Sequence, residues 1–327
     1  MIITRTPLRL PLGGGGTDLP FFYPKFGGEL VTAAIDKYIY IFISERKFHE
    51  EFRIAYSQTE NVRDIEEIKN TRVKAALKLL KINHPLEINT ISEVPGNSGL
   101  GSSSAFLVGL LKALHTYKGE SVSSRMLAEE AAMIEIDILN EPIGKQDQYA
   151  SSLGGVNHLK INKEGEVSCD SLNYSSDTVR ELERNLHMFF TGIKRDAAEV
   201  IMDQARSSTD EEKMNSMKVI KEIGIEIKEC IEKGDLKKFG KLLNLHWETK
   251  KKTSNKISSE KIDNWYEKAI KNGALGGKIM GAGGGGFFVF YCENNVNEFI
   301  RTMEDAGLSY VPFRLDMEGT KILLDTR

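Results

Sequence analysis

The residues with the most chemistry to offer are glycines and serines at the start of an apolar helix. Gly99, Leu100, Gly101, Ser102, Ser103 and Ser104 follow a strand-like run over 86–94 and precede the helical spacing Ala105, Val108, Leu111, Leu114. Backbone N–H groups at a helix start face an incoming anion, and glycines let the chain approach it closely. Serine hydroxyls can donate to the anion or ligate magnesium. Such a segment can cradle phosphate, although a loop closed by serine caps would leave the same pattern. It is not a Walker loop, which needs lysine after its last glycine where Ser102 follows Gly101. Ser104 likewise replaces the third glycine of a dinucleotide fingerprint.

Two further glycine segments and two acids share this character. Gly13, Gly14, Gly15 and Gly16 lead into Thr17 and Asp18, after a β-leaning run over 2–12 that carries Arg9. Asp18 can accept two hydroxyl hydrogen bonds from a polyhydroxylated ligand, and Arg9 can stabilise charge on a transferring phosphoryl group. A solvated hairpin with a surface arginine and aspartate is the alternative. Gly281, Ala282 and the four glycines 283–286 lie between Lys278 and the apolar run 287–290. Consecutive glycines cost backbone entropy, which points to a close approach of the backbone to something, or to a flexible connection between strands.

Glu135 lies among Ala131, Ile134 and Ile138, toward or beside an apolar helical stripe, where a carboxylate needs a bound cation or a salt bridge at the stripe's edge. Asp147 sits in a polar island, Gly144-Lys145-Gln146-Asp147-Gln148, between that helix and a turn at 149–150. Phosphoryl transfer asks for in-line positioning, neutralised charge and often a carboxylate that accepts the nucleophile's proton. Asp147 could be that base; an exposed helix-capping aspartate is the alternative.

The elements that must position these residues read as an α+β pattern. Strand-like runs cover 2–12, two stretches within 30–43, 86–94, 156–161 and 186–190. Helical spacing covers 71–80, the run from Ser102, and a second helix from Ser123 with Leu127, Ala131, Ile134 and Ile138. Lys- and Glu-rich helices follow over about 197–271, then strands on either side of 281–286, a helix over 296–306, and strands near 308–315 and 321–324. At about 150 residues per domain, 327 residues predict two domains with a cleft between them, 1–170 and 171–327.

Composition narrows the partner. The apolar fraction of 40% and charged fraction of 28% are those of a globular protein. The formal charge of −3, without a block of one sign, suggests neither nucleic acid nor a membrane surface and favours a small molecule. Cys169, Cys230 and Cys292 are far apart with no CxxC pair, which reads as core thiols in a reducing compartment. Arg5 and Arg9 interrupt the apolar amino-terminal stretch, and no run of about 18 apolar residues occurs, so a cytoplasmic location is expected.

Taken in order, Thr6-Pro7-Leu8-Arg9, residues 95–104, Glu135, residues 144–148 and residues 281–286 resemble the GHMP kinases of galactose, homoserine, mevalonate and phosphomevalonate. The likeness spans most of the chain. Its specific part is Pro-x-x-x-Gly-Leu-Gly-Ser-Ser-Ser with a glutamate and a GxxDQ aspartate downstream. The twelve residues from Glu135 to Asp147 match the spacing of the magnesium-binding glutamate and aspartate base in galactokinase-like members. The resemblance implies a two-domain α+β GHMP kinase fold, with an amino-terminal domain like the second domain of ribosomal protein S5 and a ferredoxin-like carboxyl-terminal domain. It implies ATP and Mg2+ as cofactors, with Pro95, Gly96, Gly99, Leu100, Gly101, Ser102, Ser103 and Ser104 at the nucleotide phosphates. Glu135 with Ser103, or with Ser102, would hold magnesium, and Asp147 would deprotonate the acceptor hydroxyl. Arg9 stands where a basic residue lowers the nucleophile's barrier. Asp18, with Thr17 beside it, would grip sugar hydroxyls, and Gly281, Gly283 and Gly284 would meet the substrate.

Within the superfamily, residues 6–10, 14–18, 145–150 and 191–195 are most similar to the heptose 7-phosphate kinases. That similarity implies a small-molecule sugar phosphate as substrate, phosphorylated on its anomeric hydroxyl, and leaves room for a homodimer. Lys194 and Arg195 would grip the phosphate the substrate already carries, or form a solvated basic helix start. Pro11 and Gly14 stand where that pattern has glycine and alanine, and Pro142-Ile143 precede the single Gly144 where a Gly-Gly pair is usual. These departures lie near the sugar and bear on which sugar is used.

Overall fold

The computed structural model describes residues 1–96, 98–193, 197–206 and 210–327. Its strands are β1 (Ile2–Gly13), β2 (Gly28–Glu45), β3 (Phe52–Ala55), β4 (Thr59–Val62), β5 (Leu86–Ser92), β6 (Val156–Ile161) and β7 (Val167–Ser171), then β8 (Leu186–Phe190), β9 (Gly276–Ile279), β10 (Phe287–Tyr291), β11 (Ser309–Val311) and β12 (Lys321–Asp325). The helices are α1 (Tyr23–Phe26), α2 (Thr71–Leu79), α3 (Ser102–Lys118), α4 (Ser124–Ala132), α5 (Gln146–Leu153) and α6 (Ser176–Asn185), then α7 (Ala197–Arg206), α8 (Glu211–Lys233), α9 (Leu236–Lys251), α10 (Glu260–Lys271) and α11 (Val296–Asp305).

The larger sheet runs β12-β1-β2-β5-β3-β4, with β6 and β7 continuing from β2. Its spine is β2, one unbroken strand of 18 residues where the sequence suggested two shorter runs. The length serves two partners: residues 28–33 pair with β6 and residues 39–45 pair with β5. Its neighbour β1 slips register between Pro7 and Leu8, where proline has no N–H to give the ladder. Residues 6–13 are buried without alternation, so both faces of β1 are covered. Helix α3 lies so close that a Cβ on Gly109 would come 2.6 Å from the Thr6 hydroxyl, and α8 so close that a Cβ on Gly13 would come 2.8 Å from Ile227.

The smaller sheet, β11-β8-β10-β9, is antiparallel throughout and packs an aromatic core. Phe288 and Phe290 stack at 4.8 Å, and Trp247 of α9 meets Phe288 edge-on at 6.0 Å. The chain's end returns to the first sheet: β12 pairs with β1, and Leu315 bridges Ile35. Residues after about 312 therefore hydrogen-bond to the amino-terminal sheet, not to the strands that precede them.

One helix departs from its predicted period. After α4 the chain makes a π-helical turn, Met133–Ile138, which carries more residues per turn than an α-helix. The extra residue rotates the stripe: Ile138, expected inside, is 47% exposed, whereas Glu135 is fully buried. Among the described residues no helix is long and apolar enough to cross a membrane.

Candidate functional site

A cleft of about 380 Å³ lies where the two sheets' loops meet, and its walls come from both. Helix α3 opens on Gly101, which has φ +76° and supplies no side-chain cap, so its first-turn N–H groups are left for the cleft. No residue with a Cβ fits here easily. At Gly101 the added atom would sit 3.0 Å from Asp147 Oδ2 and 3.1 Å from the Arg9 side chain.

Arg9 and Asp147 form a two-pronged pair. Arg9 Nε donates to Asp147 Oδ1 at 2.7 Å and Nη2 donates to Oδ2 at 2.8 Å, while Nη1 donates to the Gly99 carbonyl. The guanidinium is buried and the Asp147 carboxylate faces the cleft at 21% exposure. Charge-assisted forks of this kind fix orientation as well as distance. Asp147 is no island in a loop; it occupies the first turn of α5.

The same helix start holds the second acid. Asp18 is 1% exposed, and its Oδ2 accepts from the Gln146 N–H at 3.1 Å, so a side chain 128 positions earlier caps α5. Gly144 is required for this contact, since a Cβ there would fall 1.9 Å from Asp18 Oδ2. Burial raises the Asp18 pKa above the usual aspartate value, with the nearby Asp147 charge adding to it and hydrogen bonds opposing it. Thr17, expected beside it at the substrate, is turned away. Its hydroxyl donates to the Gly14 and Glu29 carbonyls and accepts from the Glu29 N–H, which closes the turn from inside.

Glu135 lies beneath α3. It accepts from Arg72 Nε at 2.9 Å, from the Ser104 hydroxyl at 2.7 Å and from Gln148 Nε2 at 2.6 Å. Arg72 also pairs with Glu141 at the cleft's edge, whose pKa burial raises. The serine touching Glu135 is thus Ser104, while Ser102 and Ser103 line the cleft beside it. Pro95 and Gly96 are exposed outside the lining, and Leu100 is buried in the core with its carbonyl accepting from the Arg9 N–H.

The third glycine segment has a physical cause. A Cβ on Gly99 would come 2.6 Å from the Met280 carbonyl oxygen, and one on Gly286 would come 2.1 Å from that of Ser98. The two glycine loops touch backbone to backbone, one from each sheet. Gly281 lines the cleft. Gly283 and Gly284, expected at the substrate, lie outside the lining against Ile257, whose carbonyl accepts from the Gly284 N–H. Asn97, Lys194 and Arg195 lie outside the described residues.

Sequence reasoning missed the wall made by α9 and β9. His246, Lys250 and Lys278 line the cleft and are all more than nine-tenths buried. His246 and Lys250 are four residues apart on one helical face, a signal present in the sequence but indistinguishable from an ordinary amphipathic helix. Burial, then Lys278 and Lys250, push the His246 pKa well below its usual value. Burial, then Lys250 and Arg9, do the same to Lys278.

Magnesium in phosphotransfer sites is held by one or two carboxylates, with phosphates and water completing the shell. Glu135 and the Ser102 and Ser103 hydroxyls line the cleft beside an uncapped helix start and are donors of that kind, with Glu135 held by Arg72, Ser104 and Gln148. Among the described residues no cluster of three or more His, Cys, Asp or Glu is arranged to hold a metal by itself.

Comparison with known proteins gives the same direction. The GHMP kinases N terminal domain matches residues 70–155, and the GHMP kinases C terminal domain matches residues 227–307. The chain is 31% identical over 303 residues to the D-glycero-alpha-D-manno-heptose 7-phosphate kinase of Campylobacter jejuni, covering 89% of each. It is 27% identical over 237 residues to the mevalonate kinase of Methanothermobacter thermautotrophicus, covering 69% of this chain and 71% of that one. A solved D-glycero-D-manno-heptose 1-phosphate kinase from Bacteroides thetaiotaomicron superposes with a TM-score of 0.83 at 26% identity over the full length of both chains.

Proposed function

The chain belongs to the GHMP kinases, and from that premise we propose that it transfers the terminal phosphoryl group of ATP to the anomeric hydroxyl of a sugar phosphate, D-glycero-D-manno-heptose 7-phosphate being the first candidate. The observation that carries this reading is the Arg9–Asp147 fork, set under Gly101 at the uncapped start of α3. Asp147 takes the proton of the acceptor hydroxyl, whose oxygen then bonds to phosphorus as ADP leaves. Arg9, held by Gly99 and by both oxygens of Asp147, aims the carboxylate and meets charge that develops on the moving phosphoryl group.

The nucleotide phosphates rest on Gly99, Gly101 and the backbone of Ser102, Ser103 and Ser104. Glu135, with Ser103 or Ser102, would hold magnesium, which when bound neutralises phosphate charge and orients the leaving group. Asp18 fits a sugar more readily than an apolar alcohol: a buried carboxylate against Gly144 can take two hydroxyls. The proposal is tested by following ADP release with heptose 7-phosphate, the unphosphorylated heptose, other hexoses and mevalonate. Release above background with the heptose phosphate is expected, and none with mevalonate. A protein that turned over mevalonate alone would refute the sugar reading.

A further inference from the structure

The α9–β9 wall holds polar groups that the transfer chemistry does not use. Among the described residues neither ring nitrogen of His246 has a hydrogen-bond partner, although the residue is 1% exposed. The side chain of Lys278, a residue equally buried, makes no hydrogen bond or ion pair with any described residue. Lys250 donates to the Gly281 carbonyl at the same edge of the cleft. Orphaned buried donors are costly and rare in folded proteins, and a cleft that collects them on one wall is built for something that satisfies them together. The group of matching chemistry is a phosphate: an anion with several acceptor oxygens, able to meet two ammonium groups and an imidazole.

The nucleotide's phosphates have their proposed cradle on the wall from the larger sheet, at the α3 start and Arg9, whose charge also reaches Lys278. We propose that His246, Lys250 and Lys278 form a subsite for the phosphate monoester that the acceptor already carries, which makes this wall the determinant of preference for a phosphorylated sugar. The inference rests on the kinase reading above. In it the acceptor spans the cleft, its reacting hydroxyl at Asp147 and Asp18 and its existing phosphate at α9. The basic set stands on the described residues alone.

The test compares kcat/KM for heptose 7-phosphate with that for the same heptose lacking the phosphate, in the wild type and in His246→Gln and Lys278→Met, with folding checked by thermal melts. Each substitution is expected to cut the preference for the phosphorylated acceptor at least about tenfold, as loss of one charged contact should. Equal losses on both acceptors, or a raised KM for ATP with the preference retained, would assign the cluster to the nucleotide and overturn the inference. A second measurement needs no turnover: calorimetric binding of inorganic phosphate to the nucleotide-loaded protein. Binding is expected in the wild type and weakened at least about tenfold in Lys278→Met. Phosphate that binds both proteins alike would sink the subsite, whereas absence of ADP release on every acceptor would sink the kinase reading.

Discussion

The cleft has two walls of opposite character. In the wall from the larger sheet every charge is answered within the protein: Arg9 by Asp147, Arg72 by Glu135 and Glu141, Asp18 by backbone N–H groups. In the α9–β9 wall, neither His246 ring nitrogen has a hydrogen-bond partner and the buried Lys278 side chain pairs with none among the described residues. Pre-paired charges hold their geometry before any ligand arrives, as a transfer centre requires. Unpaired ones make the empty site costly, and a ligand recovers that cost on binding.

The contrast is broken most directly at the Arg9–Asp147 fork, the proposed catalytic end. Asp147→Asn should lower kcat by about 10²–10⁴-fold with ATP binding retained, the range for a positioned general base. Steady-state turnover and nucleotide titration check both halves. Arg9→Met should cost about 10²–10³-fold. Because the two residues act as one unit, the double variant should lose little more than Asp147→Asn alone. Losses that multiply would show two independent roles.

Stability should separate the walls by sign. Arg72→Met leaves Glu135 buried with one fewer partner and should cost about 3–5 kcal/mol, read from urea unfolding. Lys278→Met removes a buried amine whose pKa is depressed, and should raise the melting temperature. The wild-type penalty is present below the folded-state pKa and fades as pH rises through the unfolded one, so the gain should shrink toward high pH.

The smallest effect belongs to Asp18. Its folded-state pKa is raised, so ionising it costs stability once pH passes that value, and no cost remains below the unfolded pKa. Asp18→Asn should therefore stabilise the fold near neutrality, with the gain vanishing in acid. It should raise KM for the sugar about tenfold, the order of one lost charged hydrogen bond. Melting temperature and KM together measure this trade.

Much of the first wall was legible because its parts are contiguous. The glycines and serines of 99–104 sit at a strand-to-helix junction that sequence reveals, and Glu135 and Asp147 follow at a readable spacing. What the sequence did not show was who touches whom. The π-helical turn made Glu135 inward-facing and Ile138 exposed, an extra-residue slip that helical periodicity does not encode. Thr17 read as a ligand residue because it neighbours Asp18, yet its hydroxyl is consumed by the turn itself. The run 281–286 read as a ligand loop, but much of its glycine demand comes from the backbone of residues 98 and 99. The second wall was illegible because Lys278 of β9 stands 32 residues after His246 of α9, and only tertiary packing brings His246, Lys250 and Lys278 to one cleft.

The central claim is tested most directly by the position of the new phosphate. With ATP, magnesium and heptose 7-phosphate, phosphorus NMR should show one ADP formed for each acceptor, a new signal coupled to the anomeric proton, and the original ester intact. Transfer to any other hydroxyl, or ADP formed without a second phosphate on the sugar, would contradict the account.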